Sequence, residues 1–295
     1  MLAHWDEVEG GHAEVDHLAG RWRDLGRAAG SVTIGVKRIE VDPGKWSTPV
    51  HRQTGEEEIF YVLAGSGVCL QDDLAYEVRP GDCLVFLSRG PTHSLRAGPE
   101  GLDVLAFGMR GSTEIGHLPR AGVAWVGGTW TDVGGGDHPW DREVAAGEPE
   151  VPELSERPPN VVNLDDVEGE DGDDWKRLGR AAGSQRTGLN WGRLGADELD
   201  DNEHVHSAEE ELFVVLEGGG TIFLGGEPHE VRAGSVVSRP AGSRVAHHWQ
   251  AGPDGLTALF YGTREPNDII WYPRTRELFV KGVGVVMKVP EDESN

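Results

Sequence analysis

Apolar residues in this chain come in short runs cut by Gly and Pro. EIFYVLAG, GVCLQD, DCLVFLS, HSLRAG and LDVLAFG follow one another from residue 58, and ELFVVLEG, GTIFLGG, GSVVSRP, HHWQAG and LTALFYG from residue 211. Short runs rich in Val, Ile, Phe and Tyr and bounded by turn residues read as strands. No helical period persists over a long window. Regular short strands predict an all-β sandwich or closed barrel, and closure also removes exposed strand edges. REPNDIIWYPRTRELFVKGVGVVMKV (264–289) reads as further strands packing onto the second set.

The two sets are copies. HRQTGEEEIFYVLAGSG (51–67) aligns without a gap on HVHSAEEELFVVLEGGG (204–220). WRDLGRAAGS (22–31) matches WKRLGRAAGS (175–184), and EVRPGD (77–82) matches EVRAGS (230–235), all at one offset of 153 residues. AGPEGL (97–102) and AGPDGL (251–256), and the pairs Pro119-Arg120 and Pro273-Arg274, sit at 154. A repeat this long is a duplicated domain, not a solenoid unit. Between the copies lies GGGDHPWDREVAAGEPEVPELSERPPN (134–160), without period and rich in Gly, Pro and Glu. It reads as a linker or an arm over the barrel surface. The expected division is 1–147, an N-terminal barrel with linker, and 148–295, a C-terminal barrel.

Composition narrows the function classes. The 295 residues hold 27 Lys plus Arg against 51 Asp plus Glu, a formal charge of −24. Such a surface repels phosphate backbones, so nucleic acid is not an expected partner. The excess gathers in DDVEGEDGDD (165–174) and the PEDESN tail, read as solvated loops. No run of about 18 apolar residues occurs, so no membrane span is expected. The acidic start MLAHWDEVEGGHAEVDH lacks an apolar signal region, and the expected location is cytoplasmic. Cys69 and Cys83 are too few for a disulfide scaffold and form no CxxC; they read as small strand residues.

The chemistry gathers in the second copy. His204 and His206 are two apart and face the same way on a strand. SAEE turns the chain into the strand opened by Glu211, and Gly218 ends that strand. A distant strand brings His247. Three imidazoles and one carboxylate form a divalent-metal site.

In HVHSAEEELFVVLEG and GSVVSRPAG the chain resembles the cupin superfamily, and specifically a two-domain bicupin. The first stretch supplies HxH(x)4E(x)6G and the second G(x)5PxG. Glu198 stands where the family motif has a glycine, and four residues rather than two separate Gly242 from His247. The resemblance implies a jelly-roll barrel in each half and the ligand set His204, His206, Glu211 and His247. Glu211 is preferred to Glu209 and Glu210 by the (x)6G spacing, which Glu58 shares. His247 is preferred to His248 by the repeat, which pairs it with His93. The matching set in the first copy is His51, Gln53, Glu58 and His93, a weaker second site because an amide oxygen replaces an imidazole.

A six-coordinate metal on four such ligands keeps two positions open, which suits activation of a substrate rather than a closed structural site. Fe, Mn, Ni and Co suit these ligands, and Zn could fill a tetrahedral site and be inert. Small molecules with two oxygens would fit: catechols, hydroxy acids, enols or oxalate-like acids. Arg186, Arg193, Arg239 and Arg244 are near the expected mouth, with Arg239 and Trp249 as pocket candidates. The expected function is a metal-dependent, dioxygenase-like enzyme. The alternatives are a non-catalytic binding or storage cupin and a sugar isomerase, because the fold does not fix the reaction. Two fused barrels imitate a dimer, so a monomer or a homodimer is expected.

Overall fold

A computed structural model describes residues 1–111, 114–126, 129–132, 137–170 and 172–290. Residues 134–136 of the linker, Asp171 in the acidic stretch and the tail beyond Pro290 lie outside the described residues. Each half is an antiparallel barrel built on two long strands, Glu58–Gln71 with His93–Met109 and Glu211–Leu224 with His247–Thr263. In the first half Asp82–Phe86 and Leu74–Val78 flank Glu58–Gln71, and Ile34–Val41 flanks His93–Met109. In the second half Ser235–Arg239, Glu227–Arg232 and Thr187–Leu194 take the same places.

The long strands bend at matching register shifts, Val62/Ala64 in one and Val215/Glu217 in the other. The glycine that closes each EEE(x)6G-type stretch sits there with positive φ: 76° at Gly65 and 68° at Gly218. A Cβ on them would stand 2.2 Å from the Gly101 carbonyl oxygen and 2.1 Å from that of Gly255, so only glycine fits both the backbone and the space.

The apolar runs are continuous rather than alternating because both strand faces are buried. Phe60, Val62, Phe213 and Val215 point into their own barrels. The alternate residues, Ile59, Tyr61, Leu212 and Val214, join one core shared between the barrels, with Phe107 tilted on Tyr261 at 5.0 Å. The halves also exchange strands. Leu2–His4 pairs with Ser235–Arg239 of the second barrel, and Val161–Asn163 pairs with Asp82–Phe86 of the first.

Two glutamates fasten this interface. Glu57, 1% exposed, accepts from Ser184 Oγ (2.8 Å), the Gln185 and Thr187 amides (2.8 and 3.1 Å) and Thr187 Oγ1. Its repeat partner Glu210 accepts from the Val32 and Thr33 amides (2.7 and 2.6 Å) and Thr33 Oγ1 (2.6 Å). Each half therefore inserts one carboxylate into the loop that precedes Ile34–Val41 or Thr187–Leu194 in the other.

The linker is an arm on the first barrel. Its helix Pro139–Ala145 starts on proline, with the His138 ring accepting from the Trp140 amide. Trp140 meets Trp22 edge-on at 5.6 Å, and the buried Glu143 pairs with Arg120 at 2.7 Å. The tail strands Ile269–Tyr272, Glu277–Val280 and Val285–Lys288 form a sheet with Val205–His206 and so pack on the second barrel. Cys69 and Cys83 are free, buried strand residues, as expected.

Candidate metal centre

Strand ends meet at one end of the second barrel. His204 is bridged to His247 by backbone hydrogen bonds of 3.1 and 2.9 Å. His206 lies in the two-residue strand that pairs with Ile269–Tyr272. Glu211 and His247 open the two long strands. The three imidazoles turn their Nε2 atoms to one carboxylate. His247 Nε2 stands 3.3 Å from Glu211 Oε2, His204 Nε2 3.9 Å from the same oxygen, and His206 Nε2 3.6 Å from Oε1.

The opposite ring nitrogens fix the orientation of two of these imidazoles. His204 Nδ1 donates to the Asn202 carbonyl oxygen (2.6 Å) and His206 Nδ1 to Asp268 Oδ2 (2.6 Å). A proton held at Nδ1 leaves the Nε2 lone pair for a metal. His247 Nδ1 is buried without a hydrogen bond. Asp268 is fully buried and also accepts from Ser207 Oγ (3.1 Å) and the Ala208 amide (2.8 Å). Sequence reasoning missed Asp268. The signal was present, because the repeat pairs it with Glu114.

The electrostatics follow from this packing. Burial pushes the Glu211 carboxyl up, but the facing His247 and His204 rings outweigh it and hold the group at about 2. Asp268 is likewise pushed up by burial, and the hydrogen bonds from His206 and the Ala208 amide hold it well below the usual carboxylate range. Burial pushes His247 down to about 3. For His204, the contact with Glu211 outweighs burial and raises the pKa.

In the first barrel His93 Nε2 and His51 Nε2 stand 3.3 and 3.6 Å from Glu58 Oε2. His51 Nδ1 donates to the Pro49 carbonyl oxygen (3.0 Å). Contact with the two imidazoles outweighs burial and holds Glu58 well below the usual carboxylate range. Gln53 places its carbonyl oxygen against Gly116, where a Cβ would stand 3.1 Å away. Gln53 Oε1, Glu58 Oε2 and His93 Nε2 are all buried without a hydrogen bond. Phe86 stacks on His93 (3.7 Å, 9°), and Phe60 meets it edge-on at 5.6 Å.

At the position of Phe86 the second copy has Arg239, in register with Glu211. Its guanidinium donates to Ser243 Oγ (3.2 Å) and to the Val245 carbonyl oxygen. It borders a small space with Val205, Pro240 and His206 and is not among the residues lining the large cavity. That cavity, about 680 Å³, opens beside His204, Glu211 and His247 and is walled by Phe213, Trp249 and Phe260. Trp249 is 2% exposed and serves both the core and the cavity wall. Arg186 hydrogen-bonds the Gly55 carbonyl oxygen, and Arg193 pairs with Asp174 at the cavity mouth. Arg244 sits in the loop before His247 at φ 59°. His248 faces away from the cluster, stacked on Phe223 at 4.6 Å.

Tandem antiparallel barrels whose strand ends gather imidazoles around a carboxylate define a duplicated jelly-roll protein. The Cupin domain family profile matches residues 37–105 and 191–260, and the chain is a bicupin of the cupin superfamily. It is similar to the Lactobacillus farciminis oxalate decarboxylase formate complex, at 14% identity and TM-score 0.61, over 89% of this chain and 86% of that chain. It is also similar to Bacillus subtilis oxalate decarboxylase in a structure concerned with its Mn(II) centres, at 16% identity and TM-score 0.62, over 91% of this chain and 78% of that chain. At these identities the likeness is one of fold. No curated protein sequence matches the chain. No helix among the described residues is long and apolar enough to cross a membrane.

Proposed function

We propose that this bicupin is a metal-dependent enzyme acting on a small, oxygen-chelating organic substrate in the second barrel. The observation that carries this reading is the convergence of three imidazole Nε2 atoms on Glu211 at the edge of a cavity of about 680 Å³. His204, His206, Glu211 and His247 would hold a divalent ion. Bound there, the ion supplies Lewis acidity toward a carbonyl, enol or phenol oxygen, with room for further ligands on the cavity side. Mn(II), held by the Bacillus subtilis decarboxylase, and Fe(II) are the first candidates. Ni, Co and Zn also match the donor set.

The chain's own residues do the rest. Asp268 keeps His206 in the tautomer that offers Nε2. Glu211 offsets part of the ion's charge. Phe213, Trp249 and Phe260 give the substrate side an apolar wall against which a flat ring can pack. These walls suit a flat organic molecule larger than a two-carbon diacid, and for such a substrate a dioxygenase-like reaction is the one we propose. Arg239 is a pocket candidate on the His206 side, where it anchors the loop that delivers His247. The first site, His51, Gln53, Glu58 and His93, would be the weaker one, covered by Phe86. We keep the division at 1–147 and 148–295 for the two barrels.

The test is to purify the protein without chelator, measure its metal, and supply catechols, hydroxy acids and enols while following O2 uptake and CO2 release. Bound Fe, Mn or Ni with O2 uptake supports the reading. CO2 release without O2 uptake would move it to decarboxylation. Tight Zn with no turnover, and loss of thermal stability alone in His206→Ala, would make the protein a non-catalytic binding cupin.

A further inference from the structure

The wall of the large cavity is layered by strand register. Glu211 is opposite Gly262, and Gly262 is opposite Gly188, over which the Arg264 guanidinium packs; Arg239 flanks Glu211 on the other side. Two residues further along, about 7 Å by strand rise, Phe213 is opposite Phe260, and Phe260 is opposite Asn190. Around Phe260 the wall is aromatic: Phe213 at 5.3 Å, Trp249 at 6.3 Å and Trp175 at 4.9 Å. Phe213 in turn meets His247 at 5.3 Å, so the aromatic wall is continuous with the imidazole cluster. Asn190 lines the same cavity, and its amide makes no side-chain hydrogen bond to a described residue.

A neutral amide among aromatic rings weakens binding of a wholly apolar ligand, because it must lose water without a new partner. It favours a ligand that brings one. The repeat shows that part of this wall is particular to the second barrel: Lys37 stands at the position of Asn190, Leu95 at Trp249 and Ala106 at Phe260, whereas Phe60 and Trp22 match Phe213 and Trp175. We infer that Asn190 is a specificity residue that hydrogen-bonds a distal hydroxyl, carbonyl or amide on a flat aromatic chelator whose paired oxygens sit at the imidazole cluster. The inference rests on the proposed metal centre and adds the class of substrate.

The test uses Co(II)-loaded protein and three probes: catechol, 4-ethylcatechol and 4-(hydroxymethyl)catechol. Binding is read by tryptophan quenching, and chelation by the visible Co(II) spectrum. Wild type should bind the hydroxymethyl compound about tenfold tighter than the ethyl compound. In Asn190→Leu the preference should vanish or invert, with catechol itself bound as before. Asn190→Ser, smaller and still polar, should lie between, and it serves if the leucine variant does not fold. Equal binding of the two substituted probes by wild type, or an unchanged preference in both variants, overturns the role of Asn190 alone. If no diol alters the Co(II) spectrum, the chelation reading falls and takes this inference with it.

Discussion

At the scale of single residues, the cluster depends on what stands behind its ligands. Asp268 reaches His206 from the strand pair beyond the turn and also holds the 207–208 backbone. Asp268→Ala should weaken metal affinity about 10- to 100-fold while leaving the fold intact, as measured by chelator competition. The metal-free protein should also be acid-sensitive. His247, held neutral by burial at about 3, contributes stability above the unfolded histidine value of about 6.5, and this is lost as pH falls. Glu211, held at about 2, contributes stability above about 4.3 that is lost on further acidification. His204, raised by Glu211, acts in the opposite sense and loses its contribution as pH rises. The urea midpoint of chelator-treated protein should therefore drop between pH 7 and pH 4, and a flat midpoint would contradict the burial of His247. Much of this cluster was legible in the sequence. The repeat separates His247 from His248, and spacing to glycine separates Glu211 from its neighbours. Asp268 was missed because a lone aspartate in a Pro/Asn turn looks like turn chemistry until its partner is known.

At the scale of elements, the EEE run illustrates what spacing cannot convey. Three adjacent glutamates have three destinations. Glu211 faces the cluster, Glu210 crosses to the other barrel, and Glu209 meets the Glu265 amide (2.6 Å) and Lys281. Only the first is set by local pattern; the others depend on contacts more than 50 residues away. Glu57→Ala strands several buried donors at Ser184–Thr187 and should cost about 3 kcal/mol of stability in urea. Glu210→Ala should behave similarly, and effects below about 0.5 kcal/mol for both would mean that the carboxylates do not fasten the interface. Strand exchange was also beyond the sequence. Leu2–His4 and Val161–Asn163 are short pieces whose partners lie in the opposite half, and pattern identifies a strand without naming its neighbour.

At the scale of the whole molecule, duplication has produced two like barrels with unlike interiors. They share one core and lock by reciprocal glutamates, but the described part of the linker arm packs on the first, where Phe86 also covers His93. The second keeps the aromatic cavity beside three imidazoles gathered on Glu211. His206 against Gln53 is the sequence difference that marks this asymmetry, and on the proposed function the second barrel is the primary metal site. Mn(II) titration followed by EPR, on chelator-stripped wild type and His206→Ala, tests it most directly. A primary site in the second barrel should give one tight equivalent per wild-type chain with weaker binding beyond it, and loss of the tight equivalent in His206→Ala. Two equally tight equivalents in wild type, or a tight equivalent that survives His206→Ala, would contradict it.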